Sequence, residues 1–350
     1  MLAALLLTLA AVPVAGAPEL QLAPAQQQDE EASDGVPAPA VAVSPDAGVR
    51  FSEDLDDDAL VKAFQEEPDA LGSVCVGLPE AGRLINAVTM GEDPAWTVVA
   101  PDDAWGTAET IDALTRVARA VHDELPQCAP LRINHISKRE GGYLRPHQSH
   151  QAGRDVDLGF FYPAGVDPRA PKAKRESVMD VQANWELVRA LASMSDVEVI
   201  LVDRHVQAVL LAYARKHGED AQVLDALFGP GPDALLRHAR GHRDHFHVRF
   251  YAPRSQELGR RIQPLLALRP EQNVVIHRVQ SGETLGGIAS RYGSSVKLIQ
   301  KANGLTSSFL KLGRTLNVPL RGPCTRCPLP PPVVVPPRRV PPKGAVASPS

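Results

Sequence analysis

Histidine and aspartate residues are concentrated in two short segments, and their spacing is that of a metal site. The segments are HQSHQAGRDVD (147–157) and HRDHFHVRF (242–250), and they contain five of the eleven histidines of this 350-residue chain. Histidine is the commonest metal ligand and exchanges protons near neutral pH. A catalytic zinc ion needs three protein ligands and a fourth position for water. The two segments therefore predict a zinc centre with one Zn²⁺ per chain.

Residues 154–162 (RDVDLGFFY), which begin in the first segment, and residues 245–250 (HFHVRF) of the second alternate polar and apolar residues, as strands do when one face is buried. In the first segment Asp157 lies on the face opposite its apolar neighbours. In the second segment His245 and His247 share one face, and the phenylalanine and valine beside them share the other. We expect Asp157 and His247, on neighbouring strands, to hold the ion together with His150 from the preceding loop.

The same segments also contain the candidates for the general base. The chain has no HExxH motif, so no helical glutamate is offered as the base. His245 lies two residues from a predicted ligand on the same face, which makes it the candidate for the base or for an oxyanion-binding group. Asp155 could orient a ligand imidazole or form a surface salt bridge. Ser149 lies beside the histidines, but no GxSxG motif surrounds it, which disfavours a serine mechanism.

The motifs HxSHQxGxDVD and HxxHxHVR resemble those of the penicillin-insensitive murein endopeptidases, which share a zinc-peptidase fold with lysostaphin, D-Ala-D-Ala peptidases and hedgehog proteins. The stretches SVCVGLPEAGRLINAVTM, WGTAETIDALTRVARAV and INHISKREGGYLRPH extend the resemblance over residues 73–255. The site residues that it implies are His150, Asp157 and His247 on the zinc, His245 as base or transition-state stabiliser, and His147 and His242 lining the site.

This resemblance implies hydrolysis of the D-alanyl to meso-diaminopimelyl cross-link of peptidoglycan, with peptidoglycan as the partner. Two alternatives stay open. One is a carboxypeptidase of the same fold that trims D-alanine, because the openness of a cleft cannot be seen in a sequence. The other is a wall-binding protein that keeps the metal and has lost activity, although such a protein has no need of His245.

A second unit follows at residues 277–320, where apolar spacing and glycine breaks predict strand, helix, helix and strand. The words SGETL, IASRYG and KANGL resemble those of a LysM domain along its full length. LysM domains bind N-acetylglucosamine-containing glycans in a shallow groove. The residues that the resemblance places there are Gly282, Glu283, Thr284, Asn303, Gly304 and Leu305. The alternative is a structural cap without a ligand.

The remaining patterns predict an α+β catalytic domain with a mostly antiparallel sheet, like that of hedgehog and D-Ala-D-Ala peptidases, followed by a small βααβ LysM domain. VEVILVD (197–203) is typical of a buried strand, and residues 205–218, 108–121 and 177–194 are typical of amphipathic helices. The predicted divisions are 1–17 for a signal peptide, 18–70 for a mostly disordered acidic leader with a helix around residues 59–65, 71–265 for the peptidase, 274–320 for LysM and 321–350 for a proline-rich tail.

Composition indicates an exported protein of the periplasm or cell wall. Residues 2–17 form an apolar run that ends in Ala-Gly-Ala, which is typical of a secretory signal and too short to span a membrane. Residues 18–70 contain 14 acidic and two basic residues, whereas residues 71–350 contain 35 basic and 27 acidic ones. A basic remainder suits an anionic wall polymer. Nucleic acid is disfavoured because aromatic residues make up only 5% and do not alternate with basic ones.

Four cysteines in an exported chain predict disulfides. Cys75 and Cys128 could join the start of the catalytic domain to the strand that begins near Leu131. Cys324 and Cys327 could form a tight disulfide, and they make a poor zinc site because no second pair is available. The tail PLPPPVVVPPRRVPPKG is typical of an extended spacer or an arm that threads the wall.

Overall fold

The computed structural model of the protein describes residues 51–52, 54–167, 175–324, 327 and 329–343. The predicted signal peptide and residues 18–50 of the predicted leader lie outside these ranges. In the described part of the chain no helix is long and apolar enough to cross a membrane. The helices and strands, in chain order, are α1 (Asp57–Glu66), β1 (Val74–Leu78), β2 (Ala81–Ile85), β3 (Val88–Thr89), β4 (Trp96–Val98), β5 (Trp105–Gly106), α2 (Ala108–Glu124), β6 (Leu131–His135), β7 (Asp155–Gly159), α3 (Val181–Met194), β8 (Val197–Val202), α4 (Arg204–Lys216), α5 (Ala221–Phe228), β9 (Leu236–His238), β10 (His245–Phe250), α6 (Pro253–Ile262), β11 (Val274–Arg278), α7 (Leu285–Arg291), α8 (Val296–Ala302) and β12 (Thr315–Pro319), with 3-10 turns at Pro68–Leu71, Pro101–Asp103, Arg175–Ser177 and Gln263–Leu268.

A six-stranded sheet organises the catalytic domain, with strand order β4-β6-β7-β10-β8-β9. Its three central pairs are antiparallel, and the two edge pairs, β4–β6 and β8–β9, are parallel. Helices α2 and α3 pack against each other and supply much of the main core. The predicted α+β class is confirmed, and so are the predicted strand β8 and helices α2, α3 and α4.

The two motif segments form adjacent strands at the centre of this sheet. β7 and β10 pair antiparallel, and the register sets His247 opposite Asp157. Val156 and Phe246 are fully buried in the main core. The polar residues that alternate with them along β7 and β10 therefore face the other side of the sheet. The predicted alternation is confirmed, and it brings a carboxylate and an imidazole that are 90 residues apart onto one face.

Helix α1 belongs to the fold and covers the helical stretch that was predicted around residues 59–65 of the otherwise disordered leader. The Asp56 side chain caps it by accepting a hydrogen bond from a first-turn backbone N–H at 2.7 Å. Leu60 and Phe64 are buried in a second hydrophobic cluster together with Leu258 of α6. These residues are ordered because two apolar residues at helical spacing bury against a helix far away in the sequence.

The LysM unit has the predicted βααβ order. β11 and β12 pair antiparallel, and α7 and α8 pack on them around a small core of its own. Its surface contacts the catalytic domain. Arg278 of β11 donates a hydrogen bond to the Gln148 side chain at 2.9 Å, and Gln272, which precedes the unit, accepts one at its backbone oxygen from Arg83 at 2.7 Å.

The proline-rich tail lies against the catalytic domain, which differs from the predicted free spacer or arm. Val340 is 1% exposed and belongs to the main core. Arg338 pairs with Asp196 at 2.8 Å, and Lys343 pairs with Glu124 at 2.7 Å. Val340 and the cations of the tail match a groove and acidic groups formed only by the folded domain, so the tail sequence alone could not reveal the contact.

One predicted disulfide is present and the other is absent. Cys324 and Cys327 are bonded, whereas Cys75 and Cys128 are both free thiols. A disulfide requires Cα atoms within about 7 Å of each other.

Helix α2 separates the two free thiols. Its first residue donates its backbone N–H to Ser73, two residues before Cys75, and Cys128 follows its other end. A helix of 17 residues is about 25 Å long, so the predicted Cys75–Cys128 bridge is wrong.

Candidate active site

Three candidate ligand atoms form a nearly equilateral triangle on the open face of β7 and β10. His150 Nε2, His247 Nδ1 and Asp157 Oδ1 lie 3.1 Å from one another along all three sides. A tetrahedral zinc ion with bonds of about 2.0–2.1 Å sets its ligand atoms about 3.3 Å apart. All three residues are buried. The donor set and its spacing therefore fit one borderline-soft divalent ion.

Hydrogen bonds behind the triangle select which ring nitrogen faces it. His150 Nδ1 lies 2.8 Å from the backbone oxygen of Ile136, so this nitrogen donates and leaves the Nε2 lone pair directed into the triangle. His150 also has a positive φ of 64°. A left-handed backbone is costly for a residue with a side chain and is held only when the surroundings require it. The loop before β7 is therefore built to present this imidazole.

A buried ion pair supports the second imidazole. Asp155 accepts two hydrogen bonds from Arg249, at 2.7 and 2.9 Å, and its Oδ2 lies 3.4 Å from Nε2 of His247. Burial acts to raise the pKa of Asp155, but Arg249 and His247 outweigh it and hold that pKa well below its usual range. Of the two roles considered for Asp155, the buried one beside a ligand imidazole is the one observed.

The triangle attracts positive charge. Burial acts to lower the pKa of His247, but Asp155 and Asp157 outweigh it and raise that pKa to about 10. Burial likewise acts to raise the pKa of Asp157, and His150 and His247 hold it well below its usual range. A proton or a metal ion can supply the positive charge, and metal binding then displaces the proton.

His245 lies at the edge of the triangle and is held by its sequence neighbour. Its Nε2 is 3.6 Å from Asp157 Oδ1, and its Nδ1 is 2.9 Å from Asp244 Oδ1. Asp244 accepts a hydrogen bond from the Nδ1–H of His245, so the Nε2 lone pair faces the site. The His242 ring packs 5.0 Å from the His245 ring and 5.6 Å from the His247 ring, so the structure also brings His242 to the site.

The other oxygen of Asp157 faces two further histidines. His147 Nδ1 lies 3.4 Å from Asp157 Oδ2, and His135 Nδ1 lies 4.0 Å from it. Burial and the neighbouring His150 lower the pKa of His147 to about 4, and burial lowers the pKa of His135. Both imidazoles are therefore neutral at pH 7, which is the form that binds metals and accepts protons.

The profile of the penicillin-insensitive murein endopeptidases matches residues 75–267, which is more than half of the chain and includes every residue of this site. The chain belongs to this family. The LysM profile matches residues 277–319. The expected pairing of a murein endopeptidase with a LysM domain is thus confirmed.

Curated relatives resemble the LysM unit of this family member. The "LysM and putative peptidoglycan-binding domain-containing protein 2" of Bos taurus is 49% identical over 47 residues, which are 13% of this chain and 22% of that protein. Its Homo sapiens counterpart is 47% identical over the same length. The chain spans about a fifth of the length of the curated relatives it matches, so they inform only its LysM unit.

Sequence reasoning missed two site residues of this murein endopeptidase, His135 and Asp244. His135 ends β6, and the β6–β7 register sets it opposite Asp157. Its position at the end of a strand, before the HQSH loop, was the available signal. Asp244 was hidden by the assumption that the histidines alone mattered in HRDHFH, although an aspartate beside a histidine often fixes its tautomer.

Two of the six predicted glycan-binding residues have side chains that are held inside the LysM unit. Glu283 accepts hydrogen bonds from His277 Nε2 at 2.7 Å and from the Gln280 backbone at 2.8 Å. The Asn303 side chain donates to the backbone oxygen of Asn317 at 2.6 Å and accepts from its N–H at 2.8 Å. Both side chains fix loops, and the prediction that they also bind glycan stays a prediction.

Gly282, Gly304 and Thr284 shape the same two loops, and Leu305 packs against the small core of the LysM unit. Gly282 and Gly304 have positive φ values of 80° and 59°, and the Thr284 hydroxyl caps α7. The large exposed apolar side chains between α8 and β12 are Phe309 and Leu312. Exposed apolar side chains can mark a ligand-binding surface, and neither residue was predicted as a glycan contact.

Proposed function

We propose that this chain is a zinc-dependent DD-endopeptidase of peptidoglycan that hydrolyses D-alanyl to meso-diaminopimelyl cross-links. The observation that carries the proposal is the 3.1 Å triangle of His150, Asp157 and His247, within the part of the chain that matches the murein endopeptidase family. When bound there, zinc lowers the pKa of water and polarises a carbonyl group.

The residues around the triangle have separate tasks in this proposal. His245 takes the proton of the attacking water at Nε2 and returns it to the leaving amine. Asp244 holds the Nδ1 proton of His245 and stabilises the imidazolium that forms in between. Asp155, paired with Arg249, keeps the orientation of His247 fixed, so that the ligand set does not move during the reaction.

His147 and His242 line the site and contact the substrate. His147 is mostly buried and neutral, so it can donate to or accept from a peptide group without the cost of removing a charge from water. His242 packs against His245 and His247 and limits the space on that side. Both residues therefore position the peptide stem against the proposed metal.

In this proposal the protein acts in the periplasm or cell wall. Its LysM unit binds the glycan strand of the polymer whose cross-links the catalytic domain cuts. Two contacts on one polymer raise the effective concentration of the cross-link at the site. Deletion of residues 274–350 is a poor test of this, because it also removes Val340 from the core. Substitution of the exposed Phe309 and Leu312 tests the glycan contact without that loss.

Digestion of purified cross-linked muropeptide dimers by metal-replete protein, followed by mass analysis, tests the proposed activity. Endopeptidase action converts dimers into monomers, whereas a carboxypeptidase of the same fold releases free D-alanine and leaves the cross-link. The His245→Ala variant is the control for a contaminating hydrolase. Zinc-loaded protein that changes none of these muropeptides would show a wall-binding protein without activity.

A further inference from the structure

Asp157 presents its two carboxylate oxygens to two different pairs of imidazoles. Oδ1 lies 3.1 Å from His150 Nε2 and from His247 Nδ1. Oδ2 lies 3.4 Å from His147 Nδ1 and 4.0 Å from His135 Nδ1. The ligand atoms of His135, His147 and Asp157 all lie within 4.8 Å of one another. Asp157 therefore belongs to two groups of three candidate metal ligands, one with His150 and His247 and the other with His135 and His147.

A β-bulge in β6 directs His135 toward this place. Ile133 pairs with Leu158, and regular antiparallel pairing would then set Asn134 opposite Asp157. The register shifts between Ile133 and His135, so His135 stands opposite Asp157 instead. Residues opposite each other project from the same face of a sheet, and bulges commonly re-aim side chains beside active sites. The bulge thus adds an imidazole to the face that carries the first triangle.

We propose that His135, His147 and Asp157 form a second site for a divalent transition-metal ion, bridged by Asp157 to the zinc site of the proposed function, on which this inference rests. Two imidazole nitrogens and one carboxylate oxygen suit zinc or cobalt better than magnesium or calcium. Two-metal hydrolase sites hold their ions about 3.5–4 Å apart, a separation that one bridging carboxylate spans.

The second site binds its ion more weakly than the first. The side chains of His135 and His147 are 35% and 18% exposed, whereas those of His150 and His247 are 0% and 2% exposed. Exposed ligands lose more freedom when they bind and compete with water for the ion. The distances of 3.4 and 4.0 Å also exceed the 3.1 Å sides of the first triangle, so the second site must contract around its ion.

Metal titration of the full-length protein tests this inference. The protein is stripped with a chelator and titrated with Co²⁺ and, separately, with Zn²⁺, and bound metal is counted by elemental analysis and by the visible spectrum of cobalt. We expect two equivalents per chain, the second bound at least tenfold more weakly than the first. His135→Ala and His147→Ala should each lose the weak equivalent and keep the tight one.

His205→Ala is the matched control, because His205 is an exposed histidine that lies 2.7 Å from a carboxylate, that of Asp203. This variant should still bind two equivalents. A wild-type protein that saturates at one equivalent overturns the second site and leaves the proposed zinc site intact. A second equivalent that survives in both His135→Ala and His147→Ala also overturns it. A wild-type protein that binds no metal overturns the proposed zinc site itself.

Discussion

Removal of the Asp244 carboxylate should lower turnover through His245 alone. The pair is 2.9 Å apart and both side chains are mostly buried, so solvent screens the contact only in part. A hydrogen bond to a charged partner contributes about 1.5–3 kcal/mol, and we take the lower end because the pair retains some exposure. Since about 1.4 kcal/mol corresponds to a factor of ten, Asp244→Ala should reduce kcat about tenfold.

A double-mutant cycle measures whether Asp244 acts through His245. His245→Ala alone should lower kcat by roughly two to four orders of magnitude, the scale of a general acid–base group. Asp244→Ala should then change kcat little in the His245→Ala background, because the group that it positions is already gone. The kcat of Asp244→Asn should lie between those of wild type and Asp244→Ala, since an uncharged amide oxygen still accepts a hydrogen bond from the Nδ1–H of His245.

The assay is turnover of a soluble muropeptide dimer, with metal content measured for every variant. An equal tenfold loss of kcat from Asp244→Ala in the presence and in the absence of the His245 imidazole would contradict this role of Asp244. Loss of zinc from His245→Ala would contradict it too, because His245 would then be a ligand. His205→Ala, which breaks a similar but exposed Asp–His pair, should leave both kcat and metal content unchanged.

Three further predictions follow from the same contacts. His150→Ala and His247→Ala should each abolish tight zinc binding and turnover, and full zinc in both variants by elemental analysis would contradict the ligand assignment. Val340→Ala should lower the free energy of unfolding by about 2 kcal/mol, because it removes two buried carbon atoms and leaves a cavity; an unchanged melting temperature would mean that the tail does not pack as described. Phe309→Ala with Leu312→Ala should weaken binding to insoluble sacculi and leave hydrolysis of soluble muropeptides unchanged, and equal retention of both proteins on sacculi would exclude this surface as the glycan contact.

The sequence by itself determined the two central strands and the faces that carry the site. The period of two in residues 154–162 and 245–250 is a local property that follows from the strand geometry itself. This period therefore placed His247 and Asp157 on the face opposite the core residues of their strands before any partner strand was known. Helices α2, α3 and α4 of the catalytic domain and the βααβ order of the LysM unit were predicted from local periodicity for the same reason.

Only the tertiary structure decided which distant residues complete the site and the core. His135 reaches Asp157 through a bulge in the β6–β7 register, and register is a property of two strands together. Helix α1 and Val340 are buried by surfaces formed elsewhere in the chain, and the sequence of neither segment specifies the surface against which it packs. The free thiols of Cys75 and Cys128 make the same point, because an even number of cysteines says nothing about the distance that a helix puts between them.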